Sequence, residues 1–543
     1  MRRAIVGSIL LFLVVSVAAK NDNDASQLLV STTLGAVQGK LDAGNNVRLW
    51  SGIPYARPPV GDLRFDYPVS AEKYNGVYQA DFTAPGCPQL CKLPPGNCPA
   101  TTSEDCLYLS IFAPTTKPKS PAGYPVLFWM HGGAYEQGLG NCALYNGTSF
   151  AQQDTLTVVI NYRLGALGFM ASKSLKGNYG MIDQRLAMEW TRDNIHAFGG
   201  DPASVTIAGQ SAGAMSVSSH LTSPNSKGLF ARAIMESNPL GMPYHTRTTA
   251  QTNADAVFAY LHCDADDVAC VRSKSVAEIL EAQDKAIGLD KDTLFINFLP
   301  FAPMVEKGGE LPDQPLNLLM RGEMQAVPVL SGSMLDEGQL FVHELFTKPM
   351  SKLSYHSTLD VVFGRSAKHI KDAYPMDVPG VPPGSTDGRD AFNILATDLL
   401  FYCPLRNVTR GYQSVLSAAA TPTYIYRFKH VLSFDCWGPD YPFCVGVVCH
   451  GSELPFVWNV FSDGVISYEH TSSEAQLAAD LSAAWVNFAH TGNPNGNGVA
   501  MKFPLYDGSV DPLVVLDEPG YSEAAEARSA YCDLWDSLGY LNW

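Results

Sequence analysis

The chain has 543 residues, of which 46% are apolar and 10% aromatic, and a formal net charge of −16. That composition excludes a disordered chain and supplies enough material for a large core. The acidic balance argues against a nucleic-acid partner, because phosphate binding needs clustered Lys and Arg.

Residues 1–21, MRRAIVGSILLFLVVSVAAKN, place Arg2 and Arg3 ahead of an apolar run from Ala4 to Val17, followed by small residues. This order reads as a secretory signal peptide, residues 1–19, cleaved after Ala18 or Ala19. The run is shorter than the ~20 residues a membrane span needs, and no later apolar stretch is long enough for a transmembrane span. Residues 20–543 contain no Pro/Ser-rich linker, repeat or low-complexity segment and read as a single domain, secreted or held in the lumen of a secretory-pathway vesicle. Twelve cysteines in an exported chain read as disulfides rather than a metal site. Asn146-Gly-Thr and Asn407-Val-Thr are glycosylation sequons.

Apolar runs suited to buried strands follow in chain order: YPVLFWM (124–130), LTVVINY (156–162), SVTIAG (204–209), RAIMES (232–237), VPVLSG (327–332) and TPTYIYRF (421–428). Helical spacing runs through MIDQRLAMEWTRDNIHAFGG (181–200), with Met181, Leu186, Met188, Trp190 and Ile195 on or near one face. SSEAQLAADLSAAWVNFAH (472–490) is a late helix. Strands alternating with helices predict an α/β fold, a large mostly parallel central sheet with helices on both faces.

GQSAG (209–213) lies between the strand SVTIAG and the helix-forming AGAMSVSSHL. Ser211 there is either a nucleophile on a tight strand-to-helix elbow or a serine that merely caps a helix. Upstream, YPVLFWM runs into His131-Gly132-Gly133-Ala134-Tyr135, which is either a plain glycine turn or a loop whose N–H groups converge on a developing negative charge. A serine nucleophile needs a histidine base with a carboxylate partner, and the order Ser, Asp/Glu, His leaves several downstream histidines open, His450 among them.

Eight stretches together resemble the type-B carboxylesterases, the family of cholinesterases, liver-type carboxylesterases and large fungal lipases. They are SGIPYARPPVGDLRF (51–65), SEDCLYLSIF (103–112), WMHGGAYEQG (129–138), INYRLGALGF (160–169), GNYGMIDQRLAMEWTRDNIHAFGGDPASVTIAGQSAG (177–213), SMLDEGQLF (333–341), HGSELPFVW (450–458) and WVNFAHTGNPN (485–495). The resemblance implies an α/β-hydrolase fold and a secreted serine carboxylesterase that hydrolyses neutral carboxylic esters, a small-molecule substrate, through an acyl-enzyme. It implies Ser211 as nucleophile, Glu337 as acid and His450 as base, with the N–H groups of Gly133, Ala134 and Ala212 as oxyanion donors.

It further implies Ser237 as a serine near the acid, and buried ion pairs Arg64–Glu104 and Arg163–Asp183. The disulfides it implies are Cys87–Cys106, Cys263–Cys270 and Cys403–Cys532, with Cys91–Cys98 as a local extra; Cys142, Cys436, Cys444 and Cys449 stay unassigned. No metal or organic cofactor is implied, and the oligomeric state is left open. A neutral imidazole is required, so activity is expected to fall below about pH 6.5, the ordinary histidine value.

Substrate is less constrained. The family usually has Glu where Gln210 stands, and cholinesterases carry a cation-binding Trp in the loop that here runs from Cys87 to Cys106 without one. Both departures point away from choline esters and toward a neutral acyl ester of modest size, with Leu299 and Phe301 as candidate acyl-pocket walls. A lipase or a sterol/juvenile-hormone-type esterase is the alternative, ahead of a cholinesterase or a non-catalytic binding member of the family.

Overall fold

The fold is described from a computed structural model, for residues 28–288, 297–417, 419–518, 521–524 and 528–542. The expected signal peptide, residues 1–19, lies outside the described residues. Eleven strands form one twisted sheet. In chain order they are β1 Lys40–Asp42, β2 Val47–Pro54, β3 Tyr108–Pro114, β4 Tyr124–Met130, β5 Leu156–Ile160, β6 Gly200–Gln210, β7 Arg232–Glu236, β8 Val329–Met334, β9 Thr423–Phe428, β10 Leu513–Leu516 and β11 Ser522–Ala524.

Their spatial order is β11-β10-β9-β8-β7-β6-β4-β5-β3-β2-β1. The run from β5 to β10 is parallel throughout. Antiparallel strands close both edges. The central strands are apolar at nearly every position because both faces are covered: all five residues of β5 and all six of β8 and β9 are buried. Large apolar clusters fill the two sides, one around Trp50, Tyr162 and Phe169, the other around Trp129, Trp458 and Trp485.

The helices that matter for the site are α1 Tyr179–Asn194, α2 Ala212–Thr222, α3 Glu337–Leu345, α4 Gly388–Thr397 and α5 Ser472–Thr491. The expected helix over 181–200 stops earlier as α1, since Ile195–Phe198 tightens into a 3-10 turn and Gly199 takes φ +95° before β6 begins. Helix α5 starts on a reciprocal cap, with Thr471 accepting from Glu474 N–H and the Glu474 carboxylate accepting from Thr471 N–H.

Both expected ion pairs form. Arg64 bonds Glu104 in a fork, Nε to Oε1 at 2.6 Å and Nη2 to Oε2 at 2.5 Å. Arg163 does the same to Asp183 at 2.8 and 2.7 Å, and both partners are buried. Five disulfides are present: Cys87–Cys106, Cys91–Cys98, Cys263–Cys270, Cys403–Cys532 and Cys444–Cys449. The last pairs two of the unassigned cysteines; Cys142 and Cys436 are free thiols. Disulfides in this number fit an oxidising compartment. No helix among the described residues is long and apolar enough to cross a membrane.

The Asp183 carboxylate also accepts the Arg163 backbone N–H at 3.1 Å, so it anchors the start of the chain segment after β5 to α1. Asp183→Asn would leave a buried guanidinium without a counter-charge, and it is expected to lower unfolding free energy by about 3–5 kcal/mol. Urea denaturation measures this; a loss under ~1 kcal/mol would show that the pair is not needed.

Candidate active site

Parallel strands β4, β6 and β8 deliver their carboxyl ends to one side of the sheet, where open α/β sheets place their ligands. The chain leaves β6 at Gln210, turns at Ser211 and enters α2 at Ala212. Ser211 has φ +59° and ψ −125°, a conformation L-residues rarely hold. The flanking glycines are a steric requirement. A Cβ on Gly213 would overlap the Met130 carbonyl oxygen at the end of β4, and one on Gly209 would stand 2.5 Å from the Gly213 carbonyl carbon. The turn is further pinned by Ser211 N–H donating to Glu236 O at 3.0 Å and Met215 N–H to Ser211 O at 2.9 Å.

The segment after β4 is equally constrained. Gly133, Ala134 and Tyr135 all have positive φ, of +103°, +58° and +61°. Among the described residues neither Gly133 N–H nor Ala134 N–H has a protein acceptor. Ala212 N–H, at the first position of α2, has no intrahelical partner either. His131 stacks on Tyr162 with 4.5 Å between ring centroids, and burial pulls its pKa down to about 4, so it is neutral here.

The acid and the histidine come from two loops tied together. Glu337 opens α3 and is fully buried; its Oε1 accepts Met334 N–H at 2.8 Å and its Oε2 accepts the His450 Nδ1 proton at 2.5 Å. The neighbouring Asp336 clasps the histidine loop, its N–H donating to Val448 O at 3.1 Å and its Oδ2 accepting Val448 N–H at 3.2 Å. The Cys444–Cys449 disulfide ends one residue before His450. Phe341 and Phe401 flank the imidazole at 5.0 and 5.2 Å.

With Nδ1–H donated to Glu337, a neutral imidazole carries its lone pair on Nε2. That lone pair accepts the Gln210 amide N–H at 3.2 Å, and among the described residues Ser211 makes no hydrogen bond to it.

Ser211, His450, Gln210, Gly133 and Ala134 line one cavity of about 160 Å³, with Phe341, Trp437, Tyr441 and Tyr468 among its walls. Its rim includes Pro94 and Pro95 of the small loop closed by Cys91–Cys98, and Tyr441 holds that loop by donating to Lys92 O at 2.5 Å. Among the described residues no Lys or Arg lines it, whereas Glu344 and Asp463 do.

One expectation needs correcting. Leu299 and Phe301 do not line this cavity: both are buried in the main core, where Leu299 O accepts from His245 Nε2 at 2.8 Å. Their neighbour Phe298 packs edge-on against Phe341 at 5.5 Å, and the two line a separate apolar pocket. Ser237 is buried at the end of β7 with φ +51°, but its hydroxyl has no hydrogen-bond partner among the described residues, Glu337 included. Trp437, which sequence reasoning did not single out, lines the cavity and approaches Gly451 beside His450.

A family model described as the carboxylesterase family matches residues 26–535. The chain belongs to the carboxylesterase family. It is 36% identical to the cAMP-regulated D2 protein of Dictyostelium discoideum over 98% of this chain and 97% of that one. It is 34% identical to the para-nitrobenzyl esterase of Bacillus subtilis (strain 168), over 90% and 94% respectively. A solved PNB esterase structure superposes with a TM-score of 0.77 at 32% identity, covering 93% of this chain and 99% of that one. The sheet is thus an α/β-hydrolase sheet, and the protein is a carboxylic ester hydrolase.

Behind Glu337 lie two further buried acids. Glu236 accepts Trp485 Nε1–H at 2.7 Å, while neither carboxylate oxygen of Glu453 has a partner among the described residues. Burial raises both pKa values, Glu236 to about 8, and the proximity of Glu236 and Glu337 raises Glu453 further. A carboxyl whose folded pKa exceeds its ordinary 4.5 stabilises the fold below that value and loses its contribution as pH rises toward 8. Glu236→Gln keeps the acceptor and removes the titration. Its unfolding free energy is expected to fall less than wild type's between pH 5 and 8, by ~1–3 kcal/mol. Parallel stability curves for the two proteins over that range would contradict this.

Proposed function

We propose that Ser211 is the nucleophile, His450 the general base and Glu337 its orienting acid in a carboxylesterase that works through an acyl-enzyme. The observation that carries this reading is the strained Ser211 elbow at the floor of the cavity that also holds His450, whose Nδ1 proton goes to buried Glu337. His450 takes the Ser211 proton as the hydroxyl attacks the ester carbonyl. The N–H groups of Gly133, Ala134 and Ala212 receive the oxyanion, and Glu337 stabilises the imidazolium. His450 then protonates the departing alcohol, and water, deprotonated by the same imidazole, releases the acid.

For Ser211 to be deprotonated, its hydroxyl must replace the Gln210 amide at His450 Nε2. In this reading Gln210 parks the imidazole with the proton on Nδ1 and yields when substrate binds. As an amide it also leaves the residue beside the nucleophile uncharged.

The aromatic and aliphatic walls favour a neutral ester of modest size. Trp437, with Glu344 and Asp463 and no cation in the lining among the described residues, favours a second reading, a cationic alcohol held on the ring face. We further propose an exported protein, a single catalytic domain from residue 20 after a leader of residues 1–19. Asn146 is its glycan carrier, since the Asn407 amide sits in the helix Cys403–Val415 and donates to Asp536 at 2.5 Å.

Ser211→Ala is expected to lower kcat on p-nitrophenyl butyrate about 10⁴-fold or more, and Glu337→Gln about 10³- to 10⁴-fold. Wild-type turnover in Ser211→Ala would sink the assignment. Gln210→Glu adds a negative charge beside the reaction centre. It is expected to improve kcat/KM for a choline ester over its neutral carbon isostere by roughly 3- to 10-fold; no change in that ratio would rule out an alcohol site next to Gln210.

A further inference from the structure

A second cavity, of about 250 Å³, opens at the carboxyl end of β9, behind the strand-to-helix turn that carries Glu337. Its walls combine apolar surface from Leu335 and Ile394 with Thr397, one carboxylate, Asp398, and three cationic side chains, Arg427, Lys429 and Arg528. In a chain of net charge −16 such a concentration of positive charge stands out against its background.

The cations are unequally satisfied. Arg528 is bound to Asp398, Nε to Oδ1 at 2.6 Å and Nη2 to Oδ2, and Asp398 also accepts from Tyr374 at 2.8 Å. That carboxylate is therefore spent. Arg427 is 6% exposed and has no carboxylate within ion-pair distance among the described residues. Of its five N–H donors, one makes a long 3.5 Å contact to Leu335 O and Nε has no partner, while the guanidinium lies 4.1 Å from the Tyr402 ring.

Lys429 is half-buried and likewise makes no ion pair; burial and the adjacent Arg427 push its ammonium pKa down, and Asp517 only partly opposes them. The other carboxylate near Arg427, Asp336, is engaged by Val448 N–H and the Asn393 amide. A buried guanidinium without an anion is costly to fold around.

We propose that this cavity is a binding site for a small organic carboxylate, its head on Arg427 and Lys429 and its apolar body against Leu335 and Ile394. A planar carboxylate matches the guanidinium fork, and the apolar wall favours an attached hydrocarbon over a bare inorganic ion. The site touches the catalytic frame, because Thr397 Oγ1 accepts Gly338 N–H at 3.0 Å, one residue from Glu337. Carboxylic acids are also what an ester hydrolase releases, so the site suits sensing of product. The binding itself is independent of the role given to Ser211.

Isothermal titration calorimetry with sodium hexanoate at constant ionic strength tests this, with inorganic phosphate as the second arm. The expected result is saturable binding of hexanoate by the wild-type protein, tighter than phosphate, and weakened tenfold or more by Lys429→Gln. Arg427→Gln is expected to weaken it at least as much. Hexanoate held in the catalytic cavity would bind Lys429→Gln unchanged, and that outcome overturns the proposal. So does absent hexanoate binding, and so does phosphate binding as tightly as hexanoate, which would make this a site for inorganic anions.

Discussion

The close approach of three backbones at Gly209, Gly213 and Met130 is the constraint on which the site rests. Strand β6 and helix α2 meet at an angle sharp enough that neither glycine has room for a methyl group, and the end of β4 packs into the gap. This contact fixes two things together. It forces Ser211 into its left-handed conformation, and it holds the turn against Gly132, which follows β4. Such strain persists only where the surroundings over-determine it. Here the surroundings are the buried parallel strands on either side, which cannot shift without disturbing the core.

The remaining partners are held by independent means that converge. Glu337 is placed by β8 and by the hydrogen bond from Met334 N–H, so its carboxylate is oriented before the histidine arrives. The His450 loop has no regular secondary structure to position it. It relies instead on the Asp336 clasp and on a disulfide that closes five residues upstream of Cys449. A short covalent loop and a carboxylate clasp do for the histidine what strands do for Ser211 and Glu337.

Much of this was readable from the chain, for physical reasons that differ by element. The central strands announce themselves because burial on both faces demands unbroken apolar runs, as in LTVVI and TYIYRF. GQSAG is legible because sterics dictate its glycines. Glu337 and His450 came only through family likeness, since groups 113 residues apart leave no local trace of their contact. Leu299 and Phe301 failed for the same reason in reverse. Their segment is irregular, no period fixes which side its residues face, and only Phe298 of it reaches Phe341, on the side of a separate apolar pocket. Trp437 was invisible because any loop that reaches a cavity can supply a wall of it, whereas the turn at Ser211 is dictated by sterics.

Electrostatics explains how so many titratable groups are tolerated around one serine. His131, Glu236 and Glu453 are all buried, and each shifts in the direction that makes it neutral. Desolvation is the largest cause in each, and neighbouring carboxylates add to it at Glu453. Had Glu236 and Glu453 kept their charges, both would repel Glu337 across a low-dielectric interior. Gln210 continues the same pattern with a residue that cannot ionise at all, placed where it touches the histidine directly. The Glu337–His450 pair thus has the neutralised Glu236 and Glu453 on its inner side; of the other carboxylates nearby, Asp336 accepts from Val448 N–H and the Asn393 amide, and Glu344 and Asp463 belong to the cavity wall. The buried acids behind Glu337 are thus kept neutral by their surroundings, whereas the acids of the cavity wall face the space that Ser211 and His450 share.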